Sequence, residues 1–192
     1  MSSTSFSWQK FLQSTGLHIA VLIAVLLLLF RQSLLPDTTL ASGDAHIGQV
    51  STGYRITPLA HLVSWIPDYS FGGRGPAIGT TPGNLLVYLV PMTKFTDMNY
   101  ALYLLIGGLF AYFLILDLTR HRFAALAGGL WFLLQPHVLS HILPGHFGHI
   151  HMAAWVPGIL LFLRRGLRDG QLTDWGFLGI CFGFFIASGV YD

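Results

Sequence analysis

Five of the nine histidines, His137, His141, His146, His149 and His151, fall within fifteen residues of one another. Three of them belong to the polar run Pro144-Gly145-His146-Phe147-Gly148-His149-Ile150-His151, which separates two apolar segments. Imidazole can ligate a metal, relay a proton or, when charged, bind phosphate. Titratable groups at a membrane boundary are functional candidates by default. His146 and His149 are three residues apart and share a face if this run is helical; with His151 they would complete a metal or phosphate site. Gly145 and Gly148 argue against a regular helix, and no spacing matches a known zinc signature. The competing reading is a loop whose imidazoles bond to backbone or to lipid headgroups. His137 and His141 stand at i, i+4 just after Pro136 and are expected to satisfy each other and nearby carbonyls.

A second candidate lies far upstream. Asp44, in Ser42-Gly43-Asp44-Ala45-His46, is a carboxylate beside a glycine. It can accept a proton from an attacking hydroxyl or bind a divalent cation, or it can cap a following helix. Asp37 is the spare carboxylate. Arg55, Arg74 and Lys94 are cations suited to a phosphate or pyrophosphate, the arginines by bidentate geometry and the lysine as a point charge. Contact with anionic lipid headgroups competes with that role. Asp117 is expected to pair with Arg120 at i, i+3 and to be structural. Cys181, the single cysteine, excludes an internal disulfide and a cysteine zinc motif.

The elements that must position these groups follow from composition. Of 192 residues, 53% are hydrophobic and 9% charged, against roughly a quarter charged in soluble domains. This composition predicts an all-α integral membrane protein. Eight acidic residues, all aspartate, against ten cations leave a net charge of +2, which does not suit a nucleic-acid partner. Hydropathy places five spans near 17–35, 99–118, 123–143, 149–164 and 174–191, each close to the roughly 20 residues a bilayer core requires. A cleaved signal peptide ending near Thr39 and Ala41 is the rival reading of the first. Residues 36–98 form a long external loop, with an interfacial helix over 45–65, a glycine-rich turn at 71–76 and a short apolar run over 83–90 stopped by Pro91. Pro136 is expected to kink or end the third span, and Gly107-Gly108 and Gly128-Gly129 to let neighbouring helices approach closely.

Short loops rich in Lys and Arg stay cytoplasmic. Arg120 and Arg122 mark one such loop, and Arg164, Arg165 and Arg168 the other. Alternation then puts the amino terminus inside, and both the long loop and the histidine run outside. Asp44 and His146 to His151 are therefore expected to share one external face.

The order of these features resembles a known family. A first span leads to a long loop opening with Gly43-Asp44, a glycine-rich patch, and Leu-Leu-Val-Tyr-Leu-Val-Pro at 85–91. Two spans joined by a tight basic turn follow, then Gly145-His146 and Ala154-Trp155-Val156-Pro157. This is similar to the amino-terminal part of the polytopic GT-C membrane glycosyltransferases, and most similar to the bacterial YfhO-like proteins. The resemblance implies a bacterial inner-membrane module that transfers a sugar from a polyprenyl-phosphate donor at the outer face. It makes Asp44 the base or a metal ligand, and sets Gly145-His146 beside the same cavity. Arg55, Arg74, His146 and His149 would hold the donor phosphate; a divalent metal, if used, would sit among Asp44, His146, His149 and His151. The chain departs from the family where many members carry a second acidic residue, for this later loop has only histidines. Family members also continue through further spans. The alternative is a non-catalytic polytopic subunit of a larger membrane complex that retains the fold alone. A transporter or metal-handling role for the histidines lacks the internal repeat that would support it.

Overall fold

Ser14 starts the first helix: its hydroxyl accepts the Leu17 N–H at 3.1 Å, and the apolar run then winds as α1, Thr15–Leu29. In the computed structural model the described residues are 14–36, 38, 40 and 82–188. Asp44, Arg55, Arg74, the interfacial helix expected over 45–65 and the glycine-rich turn at 71–76 lie outside them. The helix ends sooner than the hydropathy run, which reaches 35. From Phe30 the chain turns, with Arg31 N–H bonding to Leu28 O and Leu35 N–H to Gln32 O.

The apolar run before Pro91 is a 3-10 turn, Pro82–Leu85, followed by the single-turn helix α2, Leu86–Leu89. Pro91 then precedes α3, Met92–Thr119, which begins earlier than the expected span and takes Lys94, Asp97 and Asn99 into its first turns. Arg120 ends it in the left-handed region at φ 58°. The reversal is tight: the His121 ring accepts the Ala124 N–H at 3.3 Å and opens α4, Arg122–Leu134. Pro136 holds Gln135 extended at ψ 126° and restarts the chain as α5, Pro136–Ser140. The proline thus breaks the third apolar segment where expected.

The fourth segment differs from expectation at both ends. Helix α6 runs Phe147–Asp169, so Gly148 is taken into its first turn and the three arginines stay helical instead of terminating it. Arginine is a good helix former, and a buried carboxylate on α3 gives these side chains partners on the helix. Gly170 at φ 66° closes α6, and α7 covers Leu172–Ser188. No strand occurs among the described residues. Among the described residues the long helical segments, α1, α3, α4 continued by α5, α6 and α7, fit the five expected in order. Two of them, Thr93–Thr119 and Arg122–Ser140, are long and apolar enough to cross a membrane; α1 and α7 are apolar but shorter.

Helix α3 is the centre of the bundle, packed against α1, α4 and α6, while α7 packs on α6. Its core face, Tyr100, Tyr103, Leu104 and Tyr112, is fully buried together with Leu22 of α1 and Leu133 of α4. The glycine pairs allow this approach. A Cβ on Gly129 would lie 3.0 Å from the Gly108 carbonyl, and one on Gly107 would lie 2.1 Å from the Phe132 ring and 3.0 Å from the Ala154 Cα. Gly107→Ala is therefore expected to push α6 from α3 and to destabilise the bundle by about 2 kcal/mol, as overpacking of a tight core does. Thermal unfolding of the two proteins in one detergent measures it, and an unchanged midpoint would remove Gly107 from that contact.

Helices α3 and α6 run parallel, since Asn99 meets His151 near their starts and Asp117 meets Arg164 and Arg168 near their ends. The two basic turns consequently lie together at one end and the histidine run at the other. At 1.5 Å rise per residue, His149 and Arg164 are roughly 22 Å apart along α6. Alternation of the helical segments predicts both basic turns at one end, and they lie together there.

Candidate functional site: histidines at one end of the bundle

Chain reversal between α5 and α6 assembles the site. After the proline-initiated α5, the His141 N–H bonds to Val138 O at 3.2 Å, and the His146 N–H returns to His141 O at 3.0 Å. Gly145 adopts φ 94°, in the left-handed half of the map that glycine enters without strain. The loop closed in this way sets the His141 and His146 Nδ1 atoms 3.2 Å apart. At that distance one ring bears the N–H and the other presents a lone pair.

His149 lies one turn into α6. Its ring stacks on His141 with centroids 4.5 Å apart and planes 8° from parallel, and lies 5.4 Å from His146. Ligand nitrogens of His141, His146 and His149 all fall within 4.8 Å of one another, and each ring is half-buried. His137, exposed, meets His141 edge-on at 5.1 Å. Of the predicted group, then, His146 and His149 come together. The third member is His141, which the i, i+4 spacing had paired with His137.

His151 faces a different neighbourhood. Two residues beyond His149 on a helix is about 200° of rotation, so its ring leaves the cluster and turns into the bundle. There Nε2 lies 2.6 Å from Asn99 Oδ1, and the ring stacks on Tyr103 at 3.6 Å between centroids. The amide oxygen accepts, so Nε2 bears the proton. Tyr103 in turn accepts the Gly83 N–H at 3.2 Å through its hydroxyl, which ties the turn before α2 to the same assembly. Asn99→Ala would leave the buried imidazole N–H without its acceptor. An expected loss of about 1–2 kcal/mol follows from the cost of an unsatisfied buried donor, and Asn99→Asp should recover part of it. Equal unfolding midpoints for parent and Asn99→Ala would show that the bond contributes nothing.

The segment after α1 is fastened to this same end. Lys94 Nζ donates to Ser33 O at 2.8 Å and also to the carbonyls of Leu35 and Thr38. The fully buried Asp97 takes the Leu40 N–H on Oδ1 at 2.8 Å. Lys94, a candidate phosphate cation by sequence, is thus spent on backbone carbonyls. The chain leading toward Asp44 departs, at Leu40, from the end of the bundle that carries the histidines. Asp97 and Asn99 belong to the polar run Thr93-Lys94-Phe95-Thr96-Asp97-Met98-Asn99, in which no spacing singles them out.

The opposite end is organised by charge. Asp117, 4% exposed, accepts Arg164 Nε at 2.9 Å and Arg168 at 2.9 and 3.0 Å through its two oxygens. Arg120 and Arg165 approach to 3.7 and 3.8 Å. The i, i+3 pair expected from sequence is present but is the looser contact, and the partners that matter come from α6. Arg168 also bonds to Asp169 at 2.8 Å and so holds that carboxyl below its ordinary range. A depressed carboxylate pairs above its usual pKa and loses the pairing as pH falls through the lowered one; on an exposed group the effect is small.

No family model matches this sequence, no curated protein matches it, and no solved structure matches its fold.

Proposed function

We propose that the chain is an integral membrane glycosyltransferase module of GT-C type, set in a bacterial inner membrane with its amino terminus cytoplasmic. It transfers a sugar from a polyprenyl-phosphate donor at the outer face. The reading draws on the resemblance in motif order. The structural observation that supports it is the gathering, at one end of the bundle, of the histidine cluster and the segment that leads to Asp44. In this reading Asp44 takes the proton of an acceptor hydroxyl as its oxygen attacks the anomeric carbon. The bond from that carbon to the phosphate oxygen breaks, the configuration inverts, and the lipid phosphate leaves with the electron pair. Arg55, Arg74, His146 and His149 offset the charge that develops on the leaving group.

A second reading, a non-catalytic subunit of a larger membrane complex, is favoured by one feature: the run 137–151 contains no carboxylate. The two are separated by reconstituting the purified chain with a polyprenyl-phosphate hexose labelled in the sugar. Release of polyprenyl phosphate that depends on the chain and falls in the His146→Ala, His149→Ala double variant is expected of the enzyme. No release, together with recovery of the chain in fixed ratio with a larger membrane protein, would replace that reading with the subunit.

A further inference from the structure

Among the described residues, three imidazoles from two adjoining elements converge in one cluster. We propose that His141, His146 and His149 form a trihistidine site for a divalent transition metal of the zinc class. The ligand set differs from the one expected by sequence, because His151 is bound to Asn99 inside the bundle and His141 stands in its place.

Geometry carries the assignment. Tetrahedral zinc with imidazole nitrogens at about 2.0–2.1 Å sets neighbouring nitrogens roughly 3.3–3.4 Å apart. His141 and His146 already stand at 3.2 Å, and every ligand atom of the trio lies within 4.8 Å of the others. The first two ligands are held by the loop that the His146 N–H closes onto His141 O, and the third by the first turn of α6. Closing from the present separation to a shared metal calls on rotation of the stacked His141 and His149 rings about their terminal side-chain bonds. Such torsions are broad and soft. All three rings are half-buried, so none is sealed from solvent.

Chemistry narrows the ion. Magnesium and calcium take oxygen ligands and are not suited by three nitrogens. Neutral imidazole suits zinc, copper, nickel and iron. Three protein ligands leave a fourth position open, as in catalytic rather than structural zinc sites, where water or an anionic oxygen can bind. The site stands independently of the transferase reading, since its assembly uses only residues of the α5–α6 turn.

The test uses the full chain, purified without an affinity tag, stripped with a chelator and titrated with Co2+. The expected result is one equivalent bound with the intense visible bands of tetrahedral cobalt, displaced by Zn2+. His141→Ala, His146→Ala and His149→Ala should each weaken binding at least tenfold, whereas His121→Ala at the opposite end should leave it unchanged. His149→Cys should keep the site and add a thiolate-to-cobalt charge-transfer band, a readout that does not depend on how the alanine variants fold. Absence of stoichiometric tetrahedral Co2+ in the parent would overturn the proposal. So would its persistence in the His146→Ala, His149→Ala double variant, or a His149→Cys protein without the new band. None of these readouts requires sugar transfer, so the metal site and the transferase can fail separately.

Discussion

On the transferase reading proposed above, Asp44→Asn is expected to lower the rate of sugar transfer by at least about 100-fold while leaving the protein folded, since general-base catalysis contributes roughly 10²–10⁴. Asparagine keeps the shape and the hydrogen-bonding reach of the carboxylate but cannot take a proton. The acceptor hydroxyl would then have to attack undissociated, or lose its proton to water. Loss should appear in kcat, with the donor KM little changed, because binding of the lipid phosphate is assigned to Arg55, Arg74, His146 and His149. Asp44→Glu, which restores the base but misplaces it, should recover a fraction of the rate. Initial rates of polyprenyl phosphate release measure all three proteins; a fully active Asp44→Asn would remove Asp44 from the mechanism.

Asp117→Asn is expected to destabilise the bundle by about 3 kcal/mol. Removing one member of a buried ion pair costs about 3–5 kcal/mol, and the partial exposure of the arginines places this case at the lower end. The carboxylate side chain is 2% exposed, those of Arg164 and Arg168 are 43% and 37% exposed, and both are within 2.9 Å of it. Without the charge, Arg164, Arg165 and Arg168 face one another across one turn of α6 and lose the link to α3. The decisive comparison is Asp117→Asn in a background where Arg164 and Arg168 are already glutamine. There the same substitution should cost under half as much, because the pair is gone from both members of the cycle. A midpoint for Asp117→Asn equal to that of the parent would show that the cluster is a solvated contact.

These two expectations were legible to different degrees. That the two arginine-rich turns share one end is set by the alternation of the helices, which their order along the chain already gives. That Asp117 serves the arginines forty-seven and fifty-one positions later, rather than Arg120 next to it, follows only from the parallel packing of α3 and α6. The histidine site divides the same way. Its presence between two apolar segments is plain in the sequence. Its membership is not, because the 100° step of the α-helix decides that His149 faces the cluster and His151 faces Asn99. Gly145 and Gly148 read as helix breakers, yet only Gly145 breaks; Gly148 is in α6, where the packed first turn outweighs its low propensity.

Local chemistry along the chain was enough to set the order of the long helical segments, the break at Pro136, the close approach at the glycine pairs and the end at which the two arginine-rich turns gather. Each depends on the character of neighbouring residues: apolar length, a missing amide proton, an absent Cβ, a polar turn between apolar runs. Folding in three dimensions chose the partners: His141 with His146 and His149, His151 with Asn99, Lys94 with the carbonyls after α1, and Asp117 with α6. Partner choice turns on which faces of separate helices meet. That is set by interhelical packing summed over the whole bundle and leaves no trace in the spacing of any one segment.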